Sequence, residues 1–303
     1  MTALRWVGLL LSLLVVAGCR PASEESSKLP VLATIYPLLD FASRVGGDRL
    51  AARSLVPAGI EPHDFEPTPR DVVALKRARV LIYNGAGFEP WVEKLRAEVP
   101  ATTVQVNATD GLPLLPGLPD EGPQGSGPAL DPHVWLDPVL ASGQVDRIIA
   151  GLTEADPGGR AAYAANGARL KADLDALHRR YASAFASCRR REFIVSHAAF
   201  GYLARRYGLR QLSISGLEPE SEPSPARMRD LVVEARRVGA RVIYYEALVN
   251  PRVAEVIARE VGARVAVLNP IEGLTPDELR RGEDYFTLMD ANLKALTEGL
   301  ECP

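Results

Sequence analysis

Short apolar runs alternate with amphipathic helical segments along most of this chain, and that alternation restricts the fold more than any other feature. From residue 29, "LPVLATIYPLL" and "RLAARSLVP" read as strands, and "PTPRDVVALKRA" reads as a helix with Thr68 as cap and Pro69 at its first position. The order continues with "RVLIYNG" as strand, "EPWVEKLRAEV" as helix and "TTVQVNA" as strand. Strand and helix in strict alternation are the mark of a parallel sheet covered on both faces. The pattern then breaks. Leu170, Leu174, Leu177, Tyr181 and Phe185 recur at steps of three and four, which predicts one long helix over about 160–187, spanning roughly 40 Å. After Arg191 the alternation resumes, with "EFIVSH", "RQLSISG", "RVIYYEA" and "RVAVLNP" as strands between helices. Ser224-Pro225 and Asn250-Pro251 mark helix starts, and Gly239 and Gly262 mark helix ends. The fold class is therefore α/β: two lobes, each a parallel sheet flanked by helices, joined by one long linking helix.

At 303 residues and 47% hydrophobic, the chain is large enough for two cores. Its net charge of -3, with both signs mixed throughout, leaves no basic footprint for nucleic acid or an anionic membrane surface. The first residues, "MTALRWVGLLLSLLVVAGC", carry Arg5, an apolar run too short to span a bilayer, and small residues before Cys19. This predicts export. "VVAGC" resembles a bacterial lipoprotein box, cut before Cys19 so that this residue carries lipid; the alternative is an ordinary signal cut near Ala17 or Gly18. The expected division is a signal peptide over 1–18, a lipid-anchored flexible tether over 19–28, an N-terminal lobe over 29–157, the linking helix over 158–188 and a C-terminal lobe over 189–303. With Cys19 set aside, Cys188 and Cys302 remain as an even pair in an oxidising compartment and are expected to form a disulfide. The segment "GLPLLPGLPDEGPQGSGPAL" over 111–130 is too rich in Pro and Gly for helix or strand and reads as a loop.

Three of the four histidines fall where parallel sheets collect ligands. His63 and His197 follow strand ends, and His133 sits in "DPHVWLDP", its backbone restricted by Pro132 and Pro138, before a helix capped by Asp137. His178, off the apolar stripe of the long helix and beside two arginines, reads as a solvated residue. Three imidazoles from two lobes can converge on a cleft, and neutral imidazole is the commonest protein ligand for a transition metal. An anionic fourth ligand would close a tetrahedral site.

The segments "GIEPHDFEPTPRDV", "NGAGFEPWVEKL", "DPHVWLDP", "FIVSHAAFGYLARRYGL" and "LNPIEGLT…DYFTLMDANL" together resemble the metal-binding lipoproteins of bacterial ABC uptake systems for zinc and manganese, the cluster A-I solute-binding proteins. The resemblance covers nearly all of the mature chain. It implies a metal held between two lobes bridged by a rigid helix, with delivery to an ABC permease and its ATPase in the cytoplasmic membrane, by a monomer. It places the metal ligands at His63, His133 and His197. A histidine rather than glutamate at His197 resembles the zinc-type members. Asn269 stands where many members have aspartate and supplies no anion, so the fourth ligand is expected at Glu272, with Glu246 or water as alternatives. Glu61, next but one to His63, could be a ligand, a supporting acceptor or merely exposed, with the last two favoured. The cargo implied is Zn²⁺, with Mn²⁺ possible at the same site. A histidine-rich insertion found in some members is absent from the loop "PGLPDEGPQGSG". Two other readings stay open: a secreted zinc hydrolase, in which water occupies the fourth position, and an adhesin braced by zinc.

Overall fold

The computed structural model describes residues 28–117, 130–217, 219 and 223–303. The expected signal peptide, Cys19, nearly all of the tether and the centre of the Pro/Gly-rich loop lie outside the described residues. Among the described residues, no helix is long and apolar enough to cross a membrane.

The first lobe is built from β1 (Leu29–Ala33), α1 (Tyr36–Gly46), β2 (Leu50–Ser54), α2 (Pro69–Arg77), β3 (Val80–Tyr83), α3 (Pro90–Arg96), β4 (Val104–Asn107) and α4 (Pro138–Ala155). Its four strands run parallel in the order β2-β1-β3-β4. The "LPVLATIYPLL" run is strand only as far as Ala33. Pro37 fits the first turn of a helix, and Leu38, Phe41, Ala42 and Val45 then repeat at helical spacing onto the core. Helix α2 starts as expected, with Thr68 and Asp71 forming a reciprocal capping box.

Helix α5 (Arg160–Phe185) is the long connector, and every residue of the expected stripe is buried. His178 is only partly solvated. It is half-buried, its ring stacked 5.7 Å from that of Tyr207, because the flank beside the stripe is covered by the second lobe. That lobe comprises β5 (Glu192–Val195), α6 (Gly201–Tyr207), β6 (Arg210–Ser213), α7 (Pro225–Arg237), β7 (Val242–Tyr245), α8 (Arg252–Val261), β8 (Arg264–Val267), α9 (Pro276–Arg281) and α10 (Tyr285–Gly299). Its strands repeat the first lobe's topology, parallel in the order β6-β5-β7-β8. Ser224 caps α7 as read from the sequence. Asn250 bonds the Arg252 amide, while the cap position itself falls to Pro251.

One apolar core runs through both lobes, from Val31 and Phe41 through Trp135, Leu174 and Tyr181 to Phe193, Tyr244 and Tyr285. Polar ties accompany it: the Tyr181 hydroxyl donates to Met289 O, and the Tyr285 hydroxyl to Trp135 O. Continuous packing of this kind resists a wide hinge opening.

Cys188 and Cys302 form a disulfide across a sequence separation of 114 residues. The link joins the residue four positions before β5 to the penultimate residue, so nearly all of the second lobe is closed into a covalent loop. Replacing both cysteines by serine is expected to lower the stability of the metal-free protein by about 2–5 kcal/mol, read as a lower denaturant midpoint. An unchanged midpoint would show that the closure contributes nothing.

Candidate metal centre

The carboxyl ends of both sheets face one another, and the loops that leave them carry the polar side chains of the cleft. His63 lies after β2, His133 after β4, His197 after β5, Glu246 after β7 and Glu272 after β8. One donor atom from each of His63, His133, His197 and Glu272 falls in a single group, all within 4.8 Å of one another. Glu272 Oε1 is 3.6 Å from His63 Nε2, 3.2 Å from His133 Nε2 and 3.4 Å from His197 Nε2. The Nε2 atoms of His133 and His197 are 3.3 Å apart. Four ligands at about 2.0–2.1 Å from a tetrahedral ion are separated from each other by about 3.3 Å. Those four spacings, 3.2–3.6 Å, surround that value, while the group as a whole extends to 4.8 Å.

Each buried imidazole is oriented by a carboxylate behind it. His133 Nδ1 lies 2.8 Å from Asp131 Oδ1, which also accepts the His133 backbone N–H at 3.0 Å. His197 Nδ1 lies 2.6 Å from Glu246 Oε1, which also accepts from the Ser196 hydroxyl. A carboxylate acceptor fixes the proton on Nδ1 and aims the Nε2 lone pair into the site. The two lone pairs then face one another and call for an electrophile, either a proton or a cation. His63 is the least buried ligand candidate, with 10% of its side chain exposed, and it packs on Phe88 at 4.4 Å between ring centroids. Phe88 and Trp135 form an apolar wall beside the imidazoles.

The electrostatics follow from burial against pairing. Burial lowers the pKa of His133, but the hydrogen bonds and charges of Asp131 and Glu272 outweigh it and raise the ring above its usual range. His197 is raised further, since Glu246 and Glu272 together overcome a similar burial. Burial likewise pushes Glu272 upward, but His63, His133 and His197 hold it well below the usual carboxylate range. Glu272 is therefore an anion in a nest of nitrogen donors.

The remaining acids divide by partner. Glu246, an alternative ligand from the sequence, turns Oε1 to His197 and Ser196 and so orients that imidazole. Asn269 is consumed by structure: its Oδ1 accepts from Ile271 N and its Nδ2 donates to Glu278. Glu61 is buried, not exposed, and accepts the His63 backbone N–H at 3.3 Å. Burial and then the charge of Glu272 push it up to about 9, so it is protonated at neutral pH. Sequence reasoning passed over Asp131 and Glu246 as the groups behind the imidazoles. The Asp-Pro-His spacing signalled the first; nothing local signalled the second, which is 49 residues from its partner.

Two parallel-sheet lobes with three imidazoles and one carboxylate converging between them define a metal-binding protein of the two-lobed solute-binding class. Comparison with known proteins narrows the class. The family model described as zinc-uptake complex component A, periplasmic (ZnuA), matches residues 31–299, and the chain belongs to this family of zinc-uptake solute-binding proteins. It is 36% identical over 312 residues to the high-affinity zinc uptake system protein ZnuA of Bacillus subtilis, covering 98% of each chain. It is also 36% identical over 292 residues to the zinc-binding lipoprotein AdcA of Streptococcus pneumoniae, covering 94% of this chain and 58% of AdcA. The Zn(II)-bound ZnuA-like domain of S. pneumoniae AdcA superposes with a TM-score of 0.78 at 34% identity, over 90% of this chain and 99% of that one.

Proposed function

We propose that this chain captures Zn²⁺ outside the cytoplasmic membrane and delivers it to the permease and ATPase of an ABC importer. The ion is held between the N-terminal lobe (29–157) and the C-terminal lobe (189–303) by Nε2 of His63, His133 and His197 and by the carboxylate of Glu272. The observation that carries this reading is the set of four donors within 4.8 Å of one another, with Glu272 3.2–3.6 Å from all three imidazoles and two of the rings already anchored through Nδ1 on carboxylates. Three nitrogens and one oxygen in that geometry suit zinc better than manganese, which favours octahedral oxygen sites. Glu272 fills the corner that a hydrolytic zinc centre keeps open for water, which favours carriage over catalysis. All four donors come from one chain, in keeping with a monomer. The chain is exported and tethered by lipid at Cys19. Because both lobes complete the site, metal occupancy biases lobe spacing, and this is the difference a permease reads.

The test is elemental analysis of protein purified from its native host, with metal-edge anomalous diffraction locating the ion. Zinc among the three imidazoles supports the reading; manganese there, or zinc bound elsewhere, overturns it. The assignment of the fourth ligand has its own check. Glu272→Gln is expected to weaken zinc binding more than Glu61→Gln, because only the first removes a charge from the ion. The reverse order would move the fourth ligand to Glu61.

A further inference from the structure

Glu272 belongs by sequence to the second lobe, yet the backbone that carries it is gripped by the first. Three carbonyls at alternate positions of the segment after β8 accept hydrogen bonds from across the cleft. Pro270 O accepts from the Trp135 indole Nε1 at 2.7 Å, Glu272 O from the backbone N–H of Tyr36 at 3.1 Å, and Leu274 O from the backbone N–H of Gly59 at 2.8 Å. Between the first two carbonyls, Ile271 has φ +62°. This left-handed conformation is unfavourable for a β-branched side chain and persists only where its surroundings enforce it. On the second-lobe side, Ile271 N is bonded to Asn269 Oδ1 at 2.7 Å, and Asn269 is in turn fixed to Asn292 and Glu278. The strained turn is thus clamped from both lobes, and it aims a carboxylate at the three imidazoles.

We infer that Trp135 is a positioning residue for Glu272: its indole N–H holds the turn at Pro270 so that the carboxylate meets the ion. Trp135 lies two residues from His133 and is completely buried, its ring 5.3 Å from that imidazole and 5.4 Å from Phe88. One short segment, residues 133–135, thereby supplies one ligand directly and sets the position of another that is 139 residues away in sequence. The "DPHVWLDP" stretch does more than hold an imidazole. This inference rests on Glu272 being a ligand.

The test is a double-mutant cycle on the full exported chain, reading zinc affinity by competition with a chelator and zinc release by stopped flow. Trp135→Phe keeps a large ring and deletes the N–H, leaving Pro270 O without its partner; release is expected to be about tenfold faster. In a Glu272→Gln background the same change is expected to have little further effect, because there is no carboxylate left to place. Tyr285→Phe removes the bond to Trp135 O without touching the Pro270 turn. It reports what general loosening of the lobes does, and its effect is expected to be the same in both backgrounds. Cobalt(II) in place of zinc adds a spectroscopic readout: its visible bands should change with Trp135→Phe and not with Tyr285→Phe. An equal effect of Trp135→Phe with and without Glu272 would overturn the inference. If Glu272→Gln itself leaves affinity unchanged, the ligand assignment fails instead, so the two failures are distinct. Should Trp135→Phe not fold, Tyr36→Pro deletes the neighbouring bond to Glu272 O at a helix position that accepts proline, after a residue, Ile35, already in extended conformation, with Tyr36→Phe as its control for the lost hydroxyl bond to Glu283 O. The same dependence on Glu272 is expected there, and its absence again overturns the inference.

Discussion

Replacing His133 by alanine is expected to weaken zinc binding by upwards of about a thousandfold, since losing a group that merely supports a ligand already costs about 10–100-fold. The imidazole is wholly buried, and its Nε2 stands within 3.3 Å of two other donors. No neighbouring side chain replaces it. The fold should survive, because Pro132 O remains bonded to Asn84, and Trp135 is held by Pro270 O and Tyr285. Asp131→Asn, which removes the negative charge behind the ring and leaves a weaker, neutral acceptor, should fall within the smaller range. Competition titrations with a chelator, alongside circular dichroism, check both variants. An unchanged affinity in His133→Ala would remove this residue from the ligand set.

Zinc affinity is expected to fall as pH drops from about 7.5 to 5.5, the range bracketing a free imidazole, by about tenfold per pH unit for each proton the ion displaces. The pKa values of His133 and His197 are raised in the metal-free fold, so protons compete from above the ordinary value of 6.5. Stability of the metal-free protein takes the opposite course. A histidine whose folded pKa exceeds its unfolded value contributes stability that is fully present below 6.5 and lost as pH rises through the folded value. The depressed Glu272 contributes stability present above 4.5 and lost as pH falls through its folded value. The metal-free protein should therefore be most stable on the acid side of neutrality, while the increase in Tm caused by zinc widens between about pH 6 and pH 8. Calorimetric titration and thermal melts over this range provide the measurement. An affinity flat across it would mean that the rings do not bind the ion.

The lobes were legible because apolar periodicity is local information. The stripe from Leu170 to Phe185 appears as a buried face with no member out of place. Thr68 and Ser224 declare their helices through bonds to amides three residues away or fewer. The run "LPVLATIYPLL" misled for the same reason. An unbroken apolar run suits either element, and only the packing of Leu38 and Phe41 into the core separates β1 from α1.

What the sequence by itself determined was the order of strands and helices, the even cysteine pair and which residues could serve as ligands, since these depend on residue type and short-range spacing. Only the tertiary structure decided which carboxylate faces the imidazoles. Glu246, Glu61 and Glu272 have the same chemistry and similar loop contexts, and they differ only in which side chains the fold brings against them. Glu246 meets His197 Nδ1, Glu61 is held protonated beside Glu272, and Glu272 alone faces three Nε2 atoms. Contacts between residues far apart in sequence, some within the second lobe and some between the lobes, create that difference, and no local pattern encodes them.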